Sequence, residues 1–289
     1  MILITGATGH LGNLVLKYVQ QYAPATPLAI LARDKSKTKE FENSDIDIRL
    51  GDYDDYSSLV QAFTGIDKLY FVSGSDIAKR IKQHENIVKA AKEAGVNHII
   101  YTSFIRERGL ENSPIPLVAE GHLKTEDLIK KSGLNYTILK HNIYMEVIPM
   151  FIGEHILENK TIYLPAGEGK CAFVSREDMA KAGAIVLTTK DHANKEYNIT
   201  AEEAYSYKDI AEMISEVTGK DIQYVSPSQE EFTATLKENG VPNDIIGMMA
   251  GFSEATKIGE FKQTSHDVTN LIGEKPTKLK EYLRSVYAN

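Results

Sequence analysis

GATGHLG, Gly6 to Gly12, follows the apolar run MILIT at the start of the chain and leads into LGNLVLKYVQQY, a segment of helical period. Three glycines spaced GxxGxxG between a strand and an amphipathic helix have a mechanical meaning. Gly6 permits a tight turn, Gly9 lets the backbone approach a pyrophosphate, and Gly12 lets the helix pack close to the strand it has just left. The N–H groups at the helix start lack intrahelical partners and favour an anion. No Gly-Lys-Ser/Thr follows, which excludes a kinase-type phosphate loop with its lysine and magnesium. The stretch reads as a dinucleotide-phosphate turn; the bland alternative is a tight strand-to-helix connection without a ligand.

Outward from this turn, β-rich runs alternate with helical segments: ILIT, PLAILA, IDIRL, KLYFV, NHIIYTS and NYTIL, separated by stretches such as IKQHENIVKAAKEAG. Strand and helix in turn imply parallel βαβ units, and strands this apolar suit a sheet covered on both faces. The expected fold class is therefore α/β, a Rossmann-type doubly wound parallel sheet with a smaller, mostly helical C-terminal lobe. Residues 1–145 are expected to form the dinucleotide-binding domain. SREDMAKAGAIVLTT opens with a Ser-x-x-Asp capping signal and EYNIT looks like one more strand, so 175–199 is expected to return to that domain. The remainder, 146–174 and 200–289, forms the smaller lobe.

The chain has 289 residues, 42% of them apolar, enough for a large core. Forty acidic against 33 basic residues give a net charge of -7 with no concentrated basic tract, which argues against nucleic acid as a partner. The lone Cys171 forms no internal disulfide, the N-terminus lacks the pattern of a signal peptide, and no apolar run approaches the roughly 20 residues that span a bilayer. A cytoplasmic protein with no membrane partner is expected.

The second strand ends PLAILARDKSK, where an NAD-selective site would carry a ribose-binding carboxylate and this chain has Ala32 and Arg33. Arg33 favours NADPH, because a guanidinium pairs with the 2′-phosphate and stacks on adenine. Lys35 or Lys37 could add charge, and Asp34, one place later, is the rival feature that could take a ribose hydroxyl. Asp52 in RLGDYDD contacts adenine or caps the following helix.

TGATGHLG, LARDKSK, GDYDD, AAKEAGVNHIIYTSF, SGLNYTILKHNIYME and GEGKCAFVSREDMA, in this order, resemble the short-chain dehydrogenase/reductase superfamily in its atypical NmrA-like branch, close to its type 2 NAD(P)H:quinone oxidoreductases and triphenylmethane reductases. The resemblance extends over nearly the whole chain. It implies an NADPH cleft lined by the glycine loop (Gly6, Thr8, Gly9, His10, Leu11, Gly12), by Arg33, by Val72, Ser73, Gly74 and Ser75 after the fourth strand, by Thr102, Ser103 and Phe104 after the fifth, and by His141, Asn142, Ile143 and Tyr144 after the sixth. These are carboxyl ends of strands, where open α/β sheets bind ligands.

Ordinary short-chain reductases protonate their product with a Tyr-x-x-x-Lys pair on a helix. The one such spacing here, Tyr136 to Lys140, falls inside the sixth strand, where four residues span roughly 13 Å against roughly 6 Å on a helix. On the helix VAEGHLKTEDLI the corresponding places hold Val118 and His122. An isolated ketone needs a positioned proton donor, whereas a quinone becomes a phenolate with a pKa of about 10 and water can finish its reaction. The expected function is an NADPH-dependent reductase of a quinone-like, conjugated small molecule. Ser103, His141 and Tyr144 are the candidate catalytic residues, and no metal is expected, His122 and Glu126 having no third ligand nearby in sequence. The alternative is a non-catalytic NmrA-like redox sensor that regulates a protein partner. SPSQEEFTATLKENGVPNDIIGMMAGF is the expected lid over the acceptor, through Phe232, Met248, Met249 and Phe252. A homodimer is left open.

Overall fold

The computed structural model describes residues 1–42 and 44–288. Seven strands form the main sheet: β1 (Ile2–Ile4), β2 (Leu28–Ala32), β3 (Asp47–Leu50), β4 (Lys68–Phe71), β5 (His98–Phe104), β6 (Asn135–His141) and, after the short strands β7 (Thr161–Tyr163) and β8 (Lys170–Cys171), β9 (Lys195–Ile199). They are parallel throughout, in the order β3-β2-β1-β4-β5-β6-β9. Every residue of β1 and β2 is buried, as strands covered on both faces require. The chain runs outward from β1 to β3, then crosses back to place β4 on the other side of β1. That reversal opens a crevice at the carboxyl ends of β1 and β4.

One face of the sheet is covered by helices His10–Tyr22 and Arg176–Thr188, whose Leu11, Val15, Val19, Met179 and Ala180 share a core with Ile4 and Ile30. Gly183 makes the second helix fit, since a Cβ there would lie 2.6 Å from Tyr70 Oη. Helices Tyr56–Phe63, Arg80–Glu93 and Pro116–Ser132 cover the other face around Phe63, Leu69, Ile87 and Tyr101. The Ser175 cap is present, its hydroxyl accepting from Asp178 N–H at 3.1 Å, and it starts the helix that leads back to the sheet through β9.

A second core gathers Phe151, Phe173, Tyr207, Phe232 and Phe261. It holds the parallel pair of β7 with β11 (Gln223–Val225), the antiparallel pair of β8 with β10 (Tyr205–Ser206), and most of the C-terminal helices. Helix Tyr207–Thr218 carries a full capping box from Ser206 and Asp209. Among the described residues no helix is long and apolar enough to cross a membrane.

Candidate functional site

A cleft of about 500 Å³ occupies the crevice at the β1 and β4 ends. Gly6, Thr8, Gly9, His10, Leu11 and Gly12 form its floor. Gly6 turns the chain at φ +65, a left-handed conformation that favours glycine, and Gly9 N–H closes the turn on Gly6 O at 2.9 Å. A Cβ on Gly12 would lie 2.3 Å from Gly6 O and 2.8 Å from Ala7 N, so the helix abuts the turn backbone itself. At Gly9 a Cβ would meet only Gly6 O, at 3.3 Å. The helix start therefore faces the cleft with no side chain in between at Gly9, which suits an approaching phosphate.

Val72, Ser73, Gly74 and Ser75 form the opposite wall, and side chains behind it fix their backbone. Val72 N–H donates to Thr5 Oγ1 and Ser73 N–H to Thr102 Oγ1, both at 2.9 Å. Gly74 is held at both ends by one helix: its N–H donates to His84 Nε2 at 3.0 Å, and its carbonyl accepts from Arg80 Nε at 2.9 Å. Accepting at Nε2 leaves His84 as the neutral tautomer with its proton on Nδ1, 2.7 Å from Thr125 Oγ1. Burial, then the Arg80 charge, pushes His84 down to about 3. Ser73 Oγ is buried with no hydrogen-bond partner among the described residues.

At the end nearer β2, the cleft is lined by Arg33, Gly51, Tyr53, Asp54, Lys79 and Gln83. Arg33 is exposed there, whereas Asp34 is spent on its own turn: its carboxylate accepts from Ser36 N–H at 2.8 Å and Ser36 Oγ at 2.7 Å, which hold it below the usual carboxylate range. Asp52 does not line the cleft. Its Oδ1 accepts from Asp54 N–H at 3.0 Å, and the helix behind it is capped by Asp55 instead. Tyr53, Asp54, Lys79 and Gln83 escaped the sequence reading; Asp54 links to Lys79 at 3.5 Å and to Gln83 at 3.3 Å, contacts across separate βα units that no local spacing announces.

Toward β6 the cleft ends at Tyr144 and Arg176, whose guanidinium lies 5.0 Å from the Tyr144 ring centroid. Arg176 also escaped the sequence reading, being known there only as part of a capping signal. The other expected residues of this region stand behind the wall. Thr102 is the Ser73 anchor, and Ser103 donates its hydroxyl to Glu126 at 2.5 Å, with Arg106 forked onto the same carboxylate at 2.9 and 2.6 Å. Asn142 is fully buried and its amide is spent on Thr200 Oγ1 and Phe261 O, both at 3.0 Å, while Ile143 packs into the second core. These two fasten β6 to the second core and do not line the cleft. His141 is 1% exposed with neither ring nitrogen partnered among the described residues, and burial pushes it down to about 3.

Phe104 stands opposite His141 in the sheet register and stacks on His122, with Phe252 at 6.3 Å and Phe261 at 5.6 Å. Of the expected lid residues, Phe252 thus reaches a strand end. Phe232 does not: it is 1% exposed and packs against Tyr163 inside the second core. Tyr136 and Lys140 both lie on β6, and Lys140 is bonded to Glu196 at 2.6 Å. His122 Nδ1 is bonded to Tyr101 Oη at 2.7 Å.

The NmrA-like family matches residues 1–283. Quinone oxidoreductase 2 of Escherichia coli K12 is 32% identical over 287 residues, 99% of either chain. The crystal structure of the E. coli NADPH-dependent quinone oxidoreductase in complex with NADPH superposes with a TM-score of 0.93 at 32% identity, covering 99% of this chain and 100% of that one. Triphenylmethane reductase of Citrobacter sp., complexed with NADP(H), gives a TM-score of 0.90 at 36% identity over 99% of both chains.

Proposed function

The chain belongs to the NmrA-like family, and from that premise we infer that it is an NAD(P)H-dependent oxidoreductase that takes NADPH and reduces quinones or similar conjugated acceptors without a Tyr-x-x-x-Lys proton donor. The observation that carries this reading is the cleft at the strand-order reversal, which the glycine turn and an exposed Arg33 both line while Asp34 is committed to its own turn.

When bound, NADPH supplies a hydride. The residues lining the cleft fit its chemistry: N–H groups at the start of the first helix face the pyrophosphate, Arg33 the 2′-phosphate, and the unpartnered Ser73 Oγ a polar group farther along. Tyr144, backed by Arg176, closes the β6 end. Beyond the strand ends the half-buried Phe104 and Phe252 meet edge to face over the buried Phe261, and we assign the apolar side of the acceptor site to this cluster.

The groups that would correspond to the Tyr-Lys acid and its upstream Ser are engaged or misplaced. Tyr136 and Lys140 project from a strand, Ser103 is hydrogen-bonded to Glu126, and His122 is buried, which pushes it far below its ordinary value. An acceptor whose reduced form survives as a phenolate needs none. The test is NADPH oxidation by the purified chain with a panel of quinones, azo compounds and triphenylmethane dyes. Turnover of at least one conjugated acceptor, and none of simple ketones, is expected; tight NADPH binding with no turnover of any acceptor would replace this reading by a nucleotide sensor.

A further inference from the structure

We propose that Arg176 is the anion-recognising residue of the acceptor site, so that the conjugated acceptors this cleft favours carry a carboxylate or a sulfonate. This rests on the reductase reading above. Arg176 lines the cleft and is only half-buried, which leaves it within reach of a ligand there. Its backbone is fixed beside the end of β6. Val174 bridges to Tyr144, with Val174 N–H donating to Ile143 O and Met145 N–H to Val174 O, both at 3.1 Å. Arg176 N–H donates to the Glu146 carboxylate at 3.0 and 3.3 Å, and the guanidinium then lies 5.0 Å from the Tyr144 ring centroid.

Among the described residues no salt bridge neutralises this guanidinium, and the carboxylates near it in sequence and space are committed. Glu146 is spent on the Arg176 N–H, Glu177 accepts from Tyr18 Oη at 2.6 Å, and Asp178 accepts from Ser175 Oγ at 2.6 Å and Thr277 N–H at 2.8 Å. The phenols that feel the Arg176 charge, Tyr144 and Tyr282, are raised above their ordinary values, chiefly by burial, and stay neutral. Arg80, whose charge also reaches Tyr144, adds to the positive potential.

Position assigns the missing anion to the acceptor and not to the cofactor. β6 stands four places from β2 in the sheet, roughly 19 Å at ordinary strand spacing, so the cleft runs from Arg33 past the glycine turn to Arg176. The negative groups of a dinucleotide are met at the first two places, the 2′-phosphate by Arg33 and the pyrophosphate by the helix start. The nicotinamide falls at the β6 end, and it brings no negative charge; loss of hydride leaves a positive one. A bare cation beside it therefore opposes the reaction, and an acceptor that carries an anion removes the repulsion. A guanidinium meets a carboxylate or sulfonate with two parallel hydrogen bonds.

The test independent of turnover titrates naphthalene-2-sulfonate and its neutral counterpart, naphthalene-2-sulfonamide, into the NADP⁺-saturated chain by calorimetry. The sulfonate should bind about tenfold more tightly, the worth of a charge-assisted bond, and about 0.5 M salt should shrink that preference several-fold. Arg176→Gln should abolish it, with Arg176→Lys keeping part. In turnover, Arg176→Gln should raise KM for 1,4-naphthoquinone-2-sulfonate about tenfold more than KM for menadione, and lower KM for a cationic triphenylmethane dye. Equal affinity of the two probes for the unmodified chain, or binding of neither, would overturn the proposal whether or not the variants fold. So would an Arg176→Gln chain that keeps the probe preference and loses NADPH affinity, which would give Arg176 to the cofactor. If the unmodified chain reduces no acceptor, the reductase reading falls, and the probe titration still decides the anion site.

Discussion

Gly12→Ala is the substitution for which the structure fixes the outcome most narrowly. The new Cβ would start 2.3 Å from Gly6 O, 2.5 Å from Gly6 C and 2.8 Å from Ala7 N, all of them backbone atoms. A tolerable carbon-oxygen approach is about 3.3 Å, so the start of helix His10–Tyr22 must retreat by about 1 Å from the turn it abuts. No rotamer change relieves this. Overpacking of this kind costs about 3 kcal/mol, and the helix preference for alanine returns about 1 kcal/mol, leaving a net loss of about 2 kcal/mol. Gly247→Ala is the control, because that glycine is also helical and a Cβ there meets nothing within 4 Å. It should gain about 1 kcal/mol. Gly9→Ala completes the series: with its only contact at 3.3 Å, stability should barely move while nucleotide affinity falls. Urea midpoints and NADPH titrations on the three variants read both quantities. A Gly12→Ala chain that unfolds at or above the unmodified midpoint, as the Gly247 control should, would refute the reasoning.

Arg33→Ala should weaken NADPH by roughly tenfold to a hundredfold, the worth of a charge-assisted bond, and leave NADH nearly unchanged; equal affinities in the unmodified chain would dismiss the 2′-phosphate assignment. Tyr136→Phe should keep quinone turnover within a few-fold, because Tyr136 sits at the amino end of β6, five residues or roughly 16 Å from His141, and the cleft is at the other end. A hundredfold loss in a folded, NADPH-binding variant would reinstate it as the acid. Acid should destabilise the fold through its buried histidines. His84 and His141 are pushed down to about 3 and His98 to about 4, chiefly by burial, and His122 lies far below its ordinary value. Between about pH 6 and pH 4 the unfolded chain therefore binds up to four more protons, so stability falls as pH falls, by about 1.4 kcal/mol per unit for each histidine. Urea midpoints across that range test it, and a flat profile would mean that these rings are protonated in the fold.

Most of the seven main strands were legible because each carries its own evidence, an apolar run bounded by helical segments, while β3 and β9, less apolar, were read from β-prone residues in the alternating order, and Gly95 at φ +75 ends a helix where GVNHII suggested. The glycine turn was legible for a related reason: its three residues lie within seven positions, and backbone geometry alone fixes their spacing. The short strands β7, β8, β10 and β11 left no such mark. Two or three residues long, they exist through pairing with distant partners, as Thr161 does with Gln223. Residues at the carboxyl ends of β5 and β6 were legible as a region rather than one by one: of those named, Tyr144 lines the cleft and the others stand behind it. Alternation along a strand sends Thr102 to Ser73 and Ser103 to Glu126, and a list of strand ends does not say which side chain faces a ligand.

The two walls of the cleft solve opposite problems, and this explains why one was readable and the other was not. At the glycine turn, absent side chains leave the backbone itself facing the cleft, and absent side chains leave a plain signature in sequence. In the 72–75 loop the backbone is already committed, its N–H groups consumed by Thr5, Thr102 and His84 and the Gly74 carbonyl by Arg80. What that wall offers the cleft is side chains such as Ser73, and the loop's position is set by residues up to 67 places away. Arg80 and His84, four apart, share one helical face, a spacing that in sequence says only helix. Their common target lies in a loop, not in a periodic element, so nothing in the pattern connects them. Gly74, which they hold at its N–H and its carbonyl, is thereby tied through His84 and Thr125 to helix Pro116–Ser132, so two elements distant in sequence fix one residue of the cleft wall.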